Sequence, residues 1–246
     1  KDVVRWQGEP VAVVVANKRA VAEDASELVE IDYEDLDAQL DMETAMDKST
    51  KVIHDDLGNN LFWTRTVNQG DVSEAFKQSH IVEEVTLDFA RHTGVTLETR
   101  AIVADWDSSE ERMTIYHNGQ APHMMQSIIA KHLNISEGLV RIISCDVGGS
   151  FGIKVHVYPD EMVTVAVSKL LKRPVKFVAD RLESYSTDIH SRCHKISGKI
   201  GVDDKGKILA FEIDDLSGIG PFSVYPRTSA IETNQVLNLS AASYVV

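Results

Sequence analysis

The segment SCDVGGSFGIKVHVYPDE, Ser144–Glu161, decides how the rest of the chain is read. An apolar, strand-like run ends there in two glycines, a Ser-Phe-Gly turn follows, and Lys154 closes it. Gly148 and Gly149 permit positive φ, so consecutive backbone N–H groups can point into one concavity, a nest for an anion or an oxo group. The following YPDEMVTVAVSKLL predicts a helix whose N-terminus adds partial positive charge on the same side. The spacing matches neither a phosphate loop ending in Lys-Ser/Thr nor Gly-x-Gly-x-x-Gly, which removes both nucleotide readings. A tight strand connection without ligand remains the alternative.

Working outward, alternation predicts strands at HIVEEVTLDF, half-buried, and at AIVADWD, MTIYHN, LVRIIS, VKFVAD, HKISGKIGV and KILAFEIDDL. GDVSEAF reads as a turn entering a short helix, and HMMQSIIAKHL and EMVTVAVSKLLK read as longer ones. The second of these carries Val163, Ala166 and Leu170 at helical spacing and stops at Lys-Arg-Pro. Near the N-terminus, VAVVVA (Val11–Ala16) and LVEIDYEDL read as strands flanking a helix that Asn17 caps, with Val21, Ala25 and Leu28 on one face. Residues 46–70 are polar and irregular, a connector between two modules. Strands and helices mix without strict βαβ alternation, so the fold class is α+β.

Composition narrows the function. The 246 residues, 43% hydrophobic, suffice for a real core. With 25 Lys+Arg against 38 Asp+Glu, the formal charge is −13, and no basic stripe offers itself to a phosphate backbone, so nucleic acid is not a partner. Cys145 and Cys193 form no Cys-x-x-Cys pair, which argues against a cysteine-ligated metal or a disulfide framework and fits a reducing, cytoplasmic setting. No apolar run is long enough to span a bilayer, and KDVVRWQGEP has no signal-peptide pattern.

Among the nine histidines there is no His-Glu-x-x-His, and His190 and His194 would need a helix where the surroundings read as strand. They are taken as surface or core residues. The acidic pairs in DWDSSEE and VDDKG are turn chemistry. Gln120, in HNGQAPHMM, follows a strand while Pro122 opens a helix, which places its amide where ligands often sit.

The order of GEPVAVVVANKRAVAEDASELVEIDYEDLDA, GDVSEAF, RHTGVTLETRAIVADWD, GQAPH, DVGGSFGIK, YPDE and RPVKFVADRLESYSTDIHSR resembles the large subunits of the xanthine dehydrogenase and aldehyde oxidase family. The likeness covers essentially the whole chain and leans toward the carbon monoxide dehydrogenase-like branch. It implies that residues 1–45 are the second part of an α/β hammerhead domain, 46–70 a linker, and 71–246 the first molybdopterin-binding domain.

The resemblance also implies that Gly149, Ser150, Phe151 and Gly152 contact a molybdenum cofactor, either molybdopterin or molybdopterin cytosine dinucleotide, with Gln120 donating from its side-chain amide. The metal itself takes no ligand from this chain. The family reaction hydroxylates an electrophilic carbon with oxygen from water, acting on an aldehyde, CO or an N-heterocycle. Its base is a glutamate in a late Gly-x-Gly-Glu motif that does not occur here, so no catalytic residue is assigned. Purine-oxidising members carry a glutamate after the turn lysine where this chain has Val155, which disfavours xanthine.

The expected partners are the rest of the large subunit, a medium subunit with FAD and a small subunit with 2Fe-2S clusters. The chain is thus expected to be one piece of a split or truncated subunit, inactive alone. A non-catalytic binding or scaffold protein of the same fold stays open as the alternative.

Overall fold

The computed structural model describes residues 2–240; the C-terminal SAASYVV therefore lies outside the described residues except for Ser240. In chain order the elements are α1 (Arg19–Ser26), α2 (Val72–Gln78), β1 (Ile81–Phe89), β2 (Ala101–Asp107), β3 (Arg112–His117), α3 (Pro122–Leu133) and β4 (Val140–Ile143). They continue with α4 (Pro159–Leu171), β5 (Val175–Val178), α5 (Arg181–Thr187), β6 (Cys193–Val202), β7 (Ile208–Gly218) and α6 (Ile231–Leu239). Two compact units form: one from residues up to 35 with 93–190 and 224–226, the other from 36–92, 191–223 and the residues from 227 on.

The first unit is built on a four-stranded sheet in the order β4-β3-β2-β5. β2 pairs antiparallel with both β3 and β5, whereas β3 and β4 run parallel, joined by α3. Register fixes which side chains share a face: Ile102 lies opposite His117, Ala104 opposite Ile115 and Trp106 opposite Met113. That face is covered by α3 and α4, whose Met125, Ile129, Ala130 and Val165 complete the core with Ile102, Ala104, Met113, Ile115 and Val140. The opposite face carries Asp105, Thr114 and the half-exposed Tyr116.

The predicted helix α4 is present, but it turns a different face inward. Glu161, Thr164, Val165 and Ser168 are buried, while Ala166 and Leu170 are exposed. The inward face is polar because it has polar partners waiting. Ser168 Oγ accepts the Trp106 N–H at 3.1 Å and lies 3.0 and 2.8 Å from the carbonyls of Ala104 and Arg173. Lys172 in the left-handed conformation then ends the helix before Pro174.

The N-terminal strand–helix–strand expectation fails at its strands. α1 forms, capped by Lys18 rather than Asn17 and ending before Leu28, but Val11–Ala16 and LVEIDYEDL pair with no strand among the described residues. Val11, Val13, Val15, Val29 and Ile31 stand exposed. β-branched residues favour an extended backbone, yet a strand exists only where a neighbour supplies its ladder. α5 was not anticipated, although Asp180 and Glu183 form a reciprocal capping box at its start; nor was α6.

The second unit carries the antiparallel sheet β1-β6-β7. α2 begins where Asp71 accepts the Glu74 N–H at 3.0 Å. The VDDKG turn joins β6 to β7 with Asp203 Oδ1 accepting from Lys205 and Lys207. β1 is present as predicted, but it is an edge strand exposed on both faces rather than half-buried. His194, on β6, pairs with Asp215 of β7 at 2.9 Å.

The core of the first unit makes a direct prediction. Ile115 is fully buried between sheet and helices, so Ile115→Ala is expected to lower unfolding free energy by about 2–5 kcal/mol in urea titrations.

Candidate functional site

The residues singled out from sequence come together in the first unit. Gln120 follows β3 and precedes α3, and its N–H donates to the carbonyl of Lys154 at 3.1 Å, which sets it against the end of the glycine-rich turn. Its side chain is exposed and makes no hydrogen bond among the described residues. In the turn, Gly149 and Gly152 have φ of 95° and 86°, values that L side chains rarely adopt. Phe151 shares the left-handed region with φ of 46° and leaves its ring 76% exposed, whereas Gly148 is not among the positive-φ residues. A bulky residue at positive φ is backbone strain that its surroundings must hold in place.

The N–H groups of Gly149, Ser150, Phe151 and Gly152 have no acceptor among the described residues. Four consecutive donors thus remain for an outside partner. The expected contribution of the α4 N-terminus takes another form. Its first turn holds Asp160 and Glu161, and both are engaged by Arg100.

A lysine–carboxylate clasp holds the turn. The Lys154 ammonium is buried and lies 2.7 Å from Glu98 Oε2, which also accepts the Gly148 N–H at 2.8 Å. The Glu98 N–H in turn donates to the Gly148 carbonyl at 3.2 Å. Partial burial by itself would raise the Glu98 carboxyl, but the Lys154 and Gly148 bonds outweigh it and hold the group below the usual carboxylate range.

The HNGQ segment is tied down residue by residue. The Asn118 side chain accepts the Ala101 N–H at 2.9 Å and donates to the Thr99 carbonyl at 2.8 Å. The Ser144 hydroxyl donates to the Gly119 carbonyl at 2.8 Å. Behind this lies a charge cluster centred on Arg100, which is 0% exposed.

Its guanidinium meets Asp160 bidentately at 2.7 and 2.8 Å, Asp188 at 2.6 Å, Thr187 at 2.9 Å and Glu161 at 3.4 Å. All five N–H donors are thereby matched, and the planar group lies 3.7 Å from the Tyr158 ring centroid. Burial alone would lower the Arg100 pKa; the bond and charge of Asp160, with Glu161 and Asp188, raise it instead. Burial pushes the Asp188 carboxyl up, opposed by Arg100 and reinforced by the neighbouring carboxylates. Burial likewise raises the Tyr158 hydroxyl, which donates to the Ile153 carbonyl at 2.9 Å and so ties the cluster to the turn.

Sequence reasoning missed Glu98, Arg100, Asp160, Glu161 and Asp188, although each stands in a stretch whose order carries the family resemblance. Among the described residues no group of His, Cys, Asp and Glu could hold a metal ion, and His190 and His194 share no helix. A cavity of about 560 Å³ lies beside α3, lined by Arg112, His123, Gln126 and Arg141 among others; neither Gln120 nor the turn lines it.

The family model for the molybdopterin cofactor-binding domain matches residues 53–246. The chain belongs to that family. Residues 1–37 match the aldehyde oxidase and xanthine dehydrogenase a/b hammerhead domain, so the α+β order, hammerhead segment before cofactor-binding domain, holds.

Among curated relatives, the nicotine 6-hydroxylase large subunit of Paenarthrobacter nicotinovorans is 33% identical over 100% of this chain and 31% of its own length. The carbon monoxide dehydrogenase large chain of Hydrogenophaga pseudoflava is 30% identical over 90% of this chain and 29% of its own. The crystal structure of quinoline 2-oxidoreductase from Pseudomonas putida 86 superposes with a TM-score of 0.86 at 28% identity, covering 90% of this chain and 28% of that one. The chain therefore spans about a third of the length of these relatives. Among the described residues, no helix is long and apolar enough to cross a membrane.

The clasp predicts a pH response. A carboxyl depressed in the folded state contributes stability that is present above its unfolded pKa and lost as pH falls through its folded value. Acidification below the ordinary glutamate range is thus expected to free the Gly148 amide, seen as faster hydrogen exchange beyond the intrinsic pH dependence. Glu98→Gln should show that freedom at neutral pH and lose the transition.

Proposed function

We propose that this chain forms a cofactor-facing part of a molybdenum hydroxylase large subunit that oxidises an aldehyde, CO or an N-heterocycle with water-derived oxygen. The observation that carries the reading is the run of backbone N–H groups from Gly149 to Gly152 with no acceptor among the described residues, in a turn whose following Lys154 carbonyl holds the Gln120 backbone. An electron-rich cofactor edge requires donors of this kind, and a turn held by the Lys154–Glu98 clasp leaves little ordering cost on binding. A Cβ at Gly152 would meet nothing within 4 Å, which leaves open space beside the donors. The residues present fit the group.

Molybdopterin or its cytosine dinucleotide, when bound, supplies the molybdenum redox centre that the hydroxylation needs. This chain's residues bind and orient: the N–H groups at Gly149, Ser150, Phe151 and Gly152 would hold acceptor atoms of the cofactor, and Gln120 would add a directional amide donor. Phe151 offers an exposed aromatic face at the same edge. Glu98 and Lys154 keep the turn in place and have no contact assigned to the cofactor. With Val155 buried where purine-oxidising members carry a glutamate, the substrate we favour is not a purine.

We divide the chain into residues 1–45, part of a hammerhead domain, 46–70, a linker, and 71–246, cofactor-binding; the family matches at 1–37 and 53–246 support the order of the two domains. The partners we assign are the remainder of the large subunit, an FAD-bearing medium subunit and a 2Fe-2S small subunit. The free thiols of Cys145 and Cys193 support a cytoplasmic setting.

The test is native purification from the source organism, with co-purifying chains identified by mass and molybdenum and released pterin assayed. Molybdenum, pterin and flavin- and iron–sulfur-bearing partners are expected. A protein that comes alone and free of metal would instead support the non-catalytic scaffold. In the assembled enzyme, Gln120→Ala is expected to reduce turnover or cofactor retention by about 10–100-fold with the fold unchanged.

A further inference from the structure

His117 occupies a place that nothing above accounts for. It is the last residue of β3, it lies opposite Ile102 on the helix-covered face of the sheet, and it is 5% exposed. Its Nε2 is 3.2 Å from Glu161 Oε2, an ion-pair distance, and that buried oxygen has no hydrogen-bond partner among the described residues. The other carboxylate oxygen of Glu161 faces Arg100 at 3.4 Å. The imidazole is therefore held from behind by the same buried cluster that fixes the start of β2.

On its other side the Nδ1–Cε1 edge of the ring faces Gly119. A Cβ built on Gly119 would come within 2.3 Å of His117 Cε1 and 2.4 Å of Nδ1, distances that no pair of atoms tolerates. Gly119 immediately precedes Gln120, so the ring bounds the backbone from which the exposed Gln120 side chain leaves. The Ser144 hydroxyl holds the Gly119 carbonyl, and the Lys154 carbonyl holds the Gln120 N–H. The imidazole supplies the packing surface between these two tethers.

We propose that His117 is a positioning residue for Gln120: its ring, anchored by Glu161 and packed on Gly119, fixes the backbone from which the Gln120 amide projects. This rests on Gln120 serving the cofactor as proposed above. Neither His117 nor Glu161 touches the cofactor in this scheme; both act through the glycine. The ring also explains why position 119 is glycine, since even a methyl group there would displace it.

A double-mutant cycle on the native complex tests this, with His117→Ala, Gly119→Ala and the two combined, read by amide hydrogen exchange at residues 118–120 against 113–115 in the preceding strand β3. Each single variant is expected to speed exchange at 118–120 by about tenfold while 113–115 keep their protection. The two changes should not multiply, because removing the ring makes room for the alanine methyl. Multiplicative effects, or wild-type exchange at 118–120 in His117→Ala, would overturn the proposal. So would equal loosening of 113–115, which marks a merely structural role.

A second readout is the Mo(V) electron paramagnetic resonance signal of the dithionite-reduced holoenzyme. It is expected to shift in the same sense in His117→Ala as in Gln120→Ala, and an unshifted signal in His117→Ala alone counts against positioning. Should the wild-type complex carry no molybdenum, the functional reading fails, and the exchange cycle still decides whether His117 positions Gln120.

Discussion

One buried cation organises the first unit. Arg100 sits at the base of β2 with no exposure to solvent, and its five donors reach Asp160, Glu161, Thr187 and Asp188. Such a group is stable only if every donor is matched, because a buried charge left without a partner costs several kcal/mol. The cluster therefore fixes three things together: where the sheet starts, how α4 enters, and where α5 ends. Tyr158 stacks on the guanidinium and bonds the Ile153 carbonyl, which carries the constraint on to the turn. Specificity of geometry, more than net stabilisation, is what a buried network of this kind delivers.

The backbone of the candidate site is tied to that base. Glu98 is two residues before Arg100 and grips the turn from the front, while Tyr158 supports it from behind. Between them the backbone at Gly149, Phe151 and Gly152 is kept in the left-handed region that a free chain would leave. Donors held this way need no rearrangement when an acceptor arrives, and that is the arrangement expected where a cofactor is gripped by the main chain.

Much of this was legible in the sequence, and the failures have physical causes. β2 and β3 were readable because Ile102, Ala104, Met113 and Ile115 alternate on one buried face. The helix α4 was readable, but its inward face was not: Glu161 and Ser168 read as surface until His117 of β3 and the backbone of β2 are known beside them, and Thr164 turns its hydroxyl back to the Asp160 carbonyl. Val11–Ala16 has the composition of a strand, and composition does not supply a ladder. α5 did announce itself, through Asp180 and Glu183, in a stretch read only as a motif. Gln120 and the turn stood out as candidate ligand positions from the residues themselves, but a glutamine before a helix and a pair of glycines are common features, and only the family resemblance implied a cofactor for them. Arg100 was missed because its partners Asp160 and Asp188 lie 60 and 88 residues away, beyond the reach of any local pattern.

Those long separations bear on when the site comes into being. The HNGQ segment is fastened to Thr99 and Ala101, to Ser144, to Lys154 and, through His117, to Glu161. During synthesis a nascent chain that has emerged only as far as the glycine-rich turn has Thr99, Ala101 and Ser144 but still lacks Lys154, Glu161 and Asp188, so Arg100 has no complete set of partners and the loop only part of its anchors. Contacts of high sequence separation form late, after the entropy of closing the intervening chain has been overcome. The turn and the HNGQ segment accordingly reach their final geometry only once the chain as far as Asp188 has joined the fold.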